Sequence, residues 1–200
     1  KVERYLNVNN DARISFTRSL GWNHHLNALA GVRIGMNTSQ GDRGLDYNSP
    51  NDQMRSLGSG VSSLRQVDGY FGDWNYMTWY LKADYNYKYK YFLSLNLALD
   101  GSSRFGEEAK GLSLLSGTFG VFPSVSAAWL LSSEPFLNKV AVLDMLKLRA
   151  SFGITGNDDI GNYSARKYYI SQNFLGSQRL VKGNLWNPEL QWESNRKINA

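Results

Sequence analysis

Apolar and polar residues alternate one by one along several stretches of this chain, which is the period of a β-strand with two different faces. The clearest stretch is 26–36, where every even position is apolar. The same alternation covers 11–20, 77–87, 91–100, 124–131 and 146–154, and a seventh stretch begins near Leu190. The pattern predicts an all-β, antiparallel protein of about seven strands.

The length and composition of these strands favour a membrane environment. A tilted membrane-spanning strand needs about 9–11 residues, whereas strands of soluble proteins centre on about 5–6. On 77–87, Trp79 and Tyr85 bracket Leu81 and Ala83, as aromatic girdles bracket a lipid-facing band. We therefore expect a transmembrane β-barrel segment. On pattern alone, a soluble antiparallel sandwich with one hydrated face stays open.

The predicted connections alternate between short and long. Residues 21–25 and 88–90 are short turns, whereas 37–73, 101–121 and 155–189 are long and rich in Gly, Asn and Ser. Outer-membrane barrels have this asymmetry, with the long loops outside the cell. The connection 132–142 falls on the short-turn side, and we expect one helical turn there, around 133–136.

The composition excludes several classes of protein. The chain has no Cys, which excludes disulfide frameworks and thiolate zinc sites. The net charge is +5, but the basic residues are scattered and do not form the stripe that binding to nucleic acid requires. No apolar run reaches the roughly 18 residues of a membrane-spanning helix.

Paired titratable residues give no support for an enzyme. His24-His25 lacks a nearby third ligand, and we interpret the pair as polar residues of a tight turn. Glu107-Glu108 and Asp158-Asp159 lie in glycine-rich loops, where neighbouring carboxylates are solvated rather than held across a cleft. No phosphate-binding, zinc or nucleophile motif is present. We therefore predict no catalytic residues, no cofactor and no metal.

The stretch DGSSRFG at 100–106 predicts a fixed turn at the end of the fourth strand. Asp and Gly end the strand, and the two serines can bond local backbone. Arg104 is then free to reach a carboxylate. A ligand contact is the alternative interpretation of this stretch.

Five motifs in a fixed order resemble one known family. They are DGSSRFG (100–106), FPSVSAAW (122–129), SEPFL (133–137), LKLRASFGITGN with DIG (146–157, 159–161) and NPELQWE (187–193). Together they resemble the barrel of SusC/RagA-type TonB-dependent outer-membrane transporters. WNHHLNALAG at 22–31 is similar to the same family, less specifically.

The resemblance implies a plugged barrel of the 22-strand type in the outer membrane of a Bacteroidetes-type bacterium. It implies import of oligosaccharides, peptides or similar nutrients, a SusD-like surface lipoprotein as partner, and energy from the TonB complex. Residues 1–200 would be part of a single barrel domain, and we expect its signal peptide, plug and closing strands to lie outside this sequence.

One set of charged and amide residues shares the polar alternation. In a barrel these side chains point into the lumen, where plug docking is the first expectation and solute contact the second. The candidates are Arg33, Lys82, Asp84, Asn96, Lys147 and Arg149. The alternative function is a soluble extracellular sandwich that binds glycan through exposed aromatics such as Trp74, Tyr76 and Trp186.

Overall fold

The computed structural model describes residues 1–54, 56–115, 117–137 and 143–200. It contains ten strands and two short 3₁₀ turns, Ser62–Leu64 and Leu131–Ser133. The strands are β1 Val2–Leu20, β2 His24–Leu45, β3 Gln66–Tyr87, β4 Tyr91–Ser102, β5 Leu112–Leu114, β6 Gly117–Leu130, β7 Lys147–Asn157, β8 Tyr169–Phe174, β9 Ser177–Lys182 and β10 Glu193–Asn199. No helix in the described part of the chain is long and apolar enough to span a membrane.

The main sheet confirms the all-β, antiparallel prediction. Its strand order is β1-β2-β3-β4-β6-β7-β10, and every neighbouring pair is antiparallel. These seven strands correspond to the seven stretches of alternation. The short β5 adds to the end of β6, and β8 and β9 form a separate hairpin.

The predicted loop at 37–73 is wrong over much of its length. β2 continues to Leu45 and β3 begins at Gln66, and the two strands stay in register throughout. The alternation is missing here because both faces of this extension are largely polar, so there is no half-buried face for the sequence to report. The loop itself covers only 46–65.

The loops predicted at 101–121 and 155–189 also contain strands. The first includes β5 and the start of β6, and the second includes the β8–β9 hairpin. Leu175 and Gly176 connect β8 to β9 with φ values of 50° and 78°. Positive φ at both positions is what a two-residue type I′ turn requires, and it matches the twist of the paired strands.

The short turns lie at the opposite end of the sheet from these loops. Lys88–Lys90 is confirmed as a turn, but His24 and His25 begin β2 instead of belonging to the preceding turn. Their side chains hold them there: Nδ1 of His25 lies 2.9 Å from the Ser19 hydroxyl, and Nδ1 of His24 lies 2.6 Å from the Tyr85 hydroxyl.

The helical turn predicted around 133–136 begins earlier, as the 3₁₀ turn Leu131–Ser133. The backbone N–H of Leu137 then donates to the carbonyl of Glu134 at 3.0 Å, so the chain continues as a second tight turn. Residues 138–142 of this predicted connection lie outside the described residues.

The exposure of the two faces is the reverse of that in a soluble protein, where the apolar face of a strand is buried and the polar face is exposed. Along β6, the side chains at odd positions 121–129 are exposed, including Val125 and Trp129, whereas those at even positions 122–130 are half-buried. On β6 the more exposed face is therefore the apolar one. The buried apolar residues of the described chain are Ala109, Phe119, Ala165 and Trp192, which lie in or next to the long connections.

Candidate functional site

All six predicted lumen residues lie on the polar face of the sheet. Lys82 stands directly opposite Asn96, and the register places the others at the same parity on β2, β3 and β7. Lys82 pairs with Asp84 along the same strand at 2.9 Å. The amide of Asn96 donates to the Ser124 hydroxyl at 3.1 Å. The three candidates Lys82, Asp84 and Asn96 therefore form one polar patch at the middle of the sheet.

The remaining candidates lie apart from that patch. Arg33 on β2 belongs to a separate cluster, whereas Lys147 and Arg149 on β7 line a concavity near the short-turn end. The ammonium of Lys147 lies 4.4 Å from the centre of the Phe92 ring. The six residues therefore lie on the same face of the sheet but do not form a single site.

Asp11 is a polar-face residue that sequence analysis missed. One carboxylate oxygen accepts hydrogen bonds from the Nε and Nη2 groups of Arg33 at 3.0 and 2.8 Å. The other accepts a hydrogen bond from the Tyr80 hydroxyl at 2.6 Å. The carboxylate thus joins β1, β2 and β3. Only the strand register brings these residues together, so their spacing in the sequence carries no signal.

Tyr80 belongs to a repeated arrangement in which a β3 tyrosine crosses a β2 glycine to reach β1. At each glycine an added Cβ would collide with the tyrosine ring, so the missing side chain makes room for it. The pairs are Tyr70 over Gly41, Tyr76 over Gly35 and Tyr80 over Gly31, and their hydroxyls reach Glu3, Asn9 and Asp11 respectively. This arrangement fixes the register of three strands.

A pocket of about 360 Å³ opens on the polar face at the loop end of the sheet. Its aromatic walls are Trp74, Tyr76, Phe122 and Trp192, and its polar groups come from Thr78, Asp100, Ser102 and Asp158. This volume lies within the roughly 300–1,000 Å³ of small-molecule sites. Because it combines aromatic walls with carboxylate and hydroxyl groups, the pocket is a candidate for solute contact.

The loops beside this pocket are fastened to one another. The N–H groups of Gly106 and Glu108 donate to the carbonyls of Leu190 and Pro188, both at 2.9 Å. The Phe105 ring packs against Trp192 with centroids 4.2 Å apart. Two of the family-like motifs, 100–106 and 187–193, therefore contact each other directly and hold the rim of the pocket.

Arg104 makes structural contacts at the rim of the pocket, although its partner is not the expected carboxylate. Instead of a carboxylate, its Nε donates to the side-chain oxygen of Asn162 at 2.8 Å, and its guanidinium lies 3.8 Å from the centre of the Trp74 ring. Because Trp74 offers a flat π-surface at this point, the cation is satisfied without a counter-charge.

The paired residues do not form a reaction centre. Glu107 and Glu108 are exposed, and of the Asp158-Asp159 pair only Asp158 lines the pocket. No group of three potential metal ligands occurs within the described ranges. Trp186 lines a different cavity from Trp74 and Tyr76, so the three aromatics proposed for a glycan-binding sandwich do not line one cavity.

The short-turn end carries a row of aromatic rings on the apolar face. His24, Tyr87, Tyr91 and Trp129 are successive cross-strand partners, with ring centroids 4.7, 6.1 and 6.0 Å apart. Next to this row, the largely buried Glu134 accepts the Trp129 indole N–H at 3.1 Å and the Tyr91 hydroxyl at 2.8 Å. These two bonds, with Lys90 at 3.4 Å, lower the pKa of Glu134 from its ordinary value.

Comparison with known sequences places this geometry in a family context. TonB-dependent receptor P39 of Formosa agariphila is 35% identical over 121 residues, which cover 60% of this chain and 11% of that receptor. TonB-dependent receptor P26 of the same organism is 29% identical and matches 95% of this chain. The resemblance to TonB-dependent receptors is confirmed. TonB-dependent receptor SusC of Bacteroides thetaiotaomicron is 24% identical over 97% of this chain.

Solved structures agree on the fold. The sheet matches the RagAB peptide transporter with a TM-score of 0.86 at 22% identity, over 98% of this chain and 21% of the matched one. The antiparallel sheet is thus that of a RagA-type β-barrel wall. The chain spans about a tenth to a fifth of the curated relatives, 19% in the cases of P26 and SusC. No protein-family model matches it. The relatives are receptors and transporters rather than enzymes.

Proposed function

We propose that residues 1–200 form part of the single barrel domain of a TonB-dependent importer in the outer membrane of a Gram-negative, Bacteroidetes-type bacterium. The cargo is an oligosaccharide, a peptide or a similar nutrient. The chain contributes wall and solute contacts, and it performs no chemistry of its own.

The exposed apolar face carries this proposal. Leu81 and Leu95 are 50% and 48% exposed although they lie in the interior of β3 and β4, and Leu148, the second residue of β7, is 55% exposed. A soluble sandwich would bury such a face against a second sheet. A membrane barrel instead turns it toward lipid, which covers it without any protein partner.

The height of the apolar band fits a bilayer. On β3 the band runs from Met77 to Tyr87, which is about 33 Å along a strand that rises about 3.3 Å per residue. At a tilt of about 40° this corresponds to about 25 Å across the membrane, the height of the apolar band of outer-membrane barrels. The row of aromatic rings at the short-turn end then lies at one interface, and Trp79 lies near the other.

The polar face is the lumen wall in this proposal. Its ion pairs, Asp11 with Arg33 and Asp84 with Lys82, suit a hydrated surface against which a plug can dock. The Lys147 and Arg149 concavity is a second place for docking, and the pocket at the loop end is the place for solute contact. The long loops face outward, where a SusD-like lipoprotein partner covers the mouth.

Uptake by living cells tests this function. We expect deletion of the full-length gene to abolish growth on one class among a panel of neutral oligosaccharides, acidic oligosaccharides and peptides. We expect deletion of the TonB component to abolish growth on the same class, and a plasmid copy of the receptor gene to restore it only in TonB-containing cells. Growth that is unaffected by either deletion on every member of the panel would contradict the proposal.

A further inference from the structure

Two carboxylates in the loop-end pocket differ from Asp11 and Asp84 on the polar face. Asp11 and Asp84 are paired with Arg33 and Lys82. Asp100 has no Lys or Arg nitrogen within 4 Å among the residues that the structure describes, and the same is true of Asp158. Both residues are half-buried.

The nearest arginine along the chain does not neutralise them. The guanidinium of Arg104 lies on the Trp74 ring, and its N–H groups donate to the side-chain oxygen of Asn162 and to the backbone carbonyl of Asp158. Its hydrogen bonds therefore hold the rim of the pocket rather than the carboxylates inside it. Two formal negative charges remain on the lining.

The walls strengthen the field of these charges. Four aromatic rings line the same 360 Å³ space as the two carboxylates. A cleft that combines one sign of charge with low-dielectric walls concentrates ions of the opposite sign, because Coulomb interactions weaken as the dielectric constant rises. The rings also offer apolar surface to the carbon skeleton of a ligand.

We propose that this pocket binds a cationic group, a protonated amine or a guanidinium, carried by the imported solute. The inference rests on the proposed import function and specifies the chemistry of its cargo. The positive group lies between Asp100 and Asp158, its N–H donors reach the carboxylates, and its carbon stem packs on the aromatic walls. Thr78 and Ser102 supply further hydrogen-bonding oxygens. Anionic solutes are repelled from the same pocket.

Two matched pairs of probes test the proposal on the full-length receptor in detergent. One pair is the glucosamine tetramer and its N-acetylated form, and the other is acetyl-Gly-Lys-Gly-amide and the same peptide with an acetylated lysine side chain. In each pair acetylation removes the amine charge and adds an acetyl group, so the Asp100→Asn variant is needed to separate the effect of charge from that of size. Comparison of the two pairs distinguishes a saccharide source from a peptide source. Isothermal titration calorimetry gives both affinities.

We expect the charged member of at least one pair to bind about tenfold or more tightly than its acetylated form, as a hydrogen bond between charged groups implies. Asp100→Asn should remove that preference while keeping the shape of the side chain. The matched control is Asp159→Asn, an exposed neighbour of the pocket, which should keep the preference. If Asp100→Asn fails to fold, Asp158→Asn provides the same test.

Equal binding of both members of both pairs to the wild type would overturn the inference. An unchanged preference in a folded Asp100→Asn receptor would also overturn it. Failure of this inference is separate from failure of the proposed function, which is measured by TonB-dependent growth. A receptor that supports such growth but binds charged and acetylated probes equally is an importer without this cation site.

Discussion

The loop end and the middle of the sheet differ in how their apolar side chains are packed. At the loop end, Trp192 is only 9% exposed and packs against Phe105 from another loop. In the middle of the sheet, Leu81 and Leu95 are about half exposed although regular hydrogen bonds surround them. The loop end has an apolar core within this chain, whereas the sheet has backbone pairing without such a core.

This difference shows where each region obtains its stability. The rim of the pocket is held by contacts within this chain, among residues 100–192 and between Arg104 and Trp74, so it keeps its shape through its own packing. The apolar face of the sheet is not covered within the described chain, and in the proposed barrel lipid covers it. Substitutions at the loop end should therefore lower stability by removing packing contacts. Substitutions on the sheet should lower stability when the new side chain does not suit the lipid or water that its face contacts.

The largest effect on the loop end is expected from Trp192→Ala. Removing a buried tryptophan that contacts Phe105 should lower the free energy of unfolding of the full-length receptor by about 3–5 kcal/mol. Trp186→Ala is the control, since Trp186 is 63% exposed and its loss should cost less than about 0.5 kcal/mol. Chemical denaturation in detergent measures both, and equal effects would mean that the loop end has no core of its own.

A smaller effect is expected on the sheet from Gly31→Ala. The new Cβ would collide with the Tyr80 ring, so we expect a loss of about 1–3 kcal/mol. Combining it with Tyr80→Leu, which removes the ring, should recover part of the cost, so the double variant should be less destabilised than the sum of the single ones. Strict additivity in denaturation experiments would exclude the proposed contact across the glycine.

The smallest effect concerns the short-turn end. The hydrogen bonds from Trp129 and Tyr91 hold the pKa of Glu134 below its ordinary value, so its stabilising effect is complete above that ordinary value. It should be lost as the pH falls through the lowered pKa. Glu134→Gln should flatten the part of the stability profile that lies below the ordinary pKa of 4.5. An identical acid profile for both proteins would show that Glu134 does not contribute.

Sequence periodicity predicted the seven strands of the main sheet because each carries a face that differs from the other. It failed at 37–45 and 66–76, where the chain pairs in register but neither face is continuously apolar. The β8–β9 hairpin was missed for a related reason: its turn uses Leu175-Gly176, and Leu175 is not a residue typical of a positive φ.

The sequence predicted which face of the sheet carries the candidate residues, but it did not predict which of them lie close together. Parity placed Lys82, Asn96 and their companions together, since alternate residues of a strand share a side. The contact of Asp11 with Arg33 and Tyr80 depends on the register of three strands. The pocket around Asp100 depends on the register of β3, β4, β6 and β7 and on where the loop fold places Asp158 and Trp192. Neither the register nor the loop fold is encoded in local spacing.

One pair of neighbouring substitutions tests the central claim, that the apolar face contacts lipid and the polar face contacts water. Leu95→Arg places a charge on the apolar face, and at the midplane this should lower the free energy of unfolding in bilayers by about 2–4 kcal/mol. Asn96→Arg, one residue further on, faces the polar side and should cost about 1 kcal/mol or less, mainly through the lost bond to Ser124. Equal destabilisation by the two substitutions, or a larger effect at Asn96, would contradict the account.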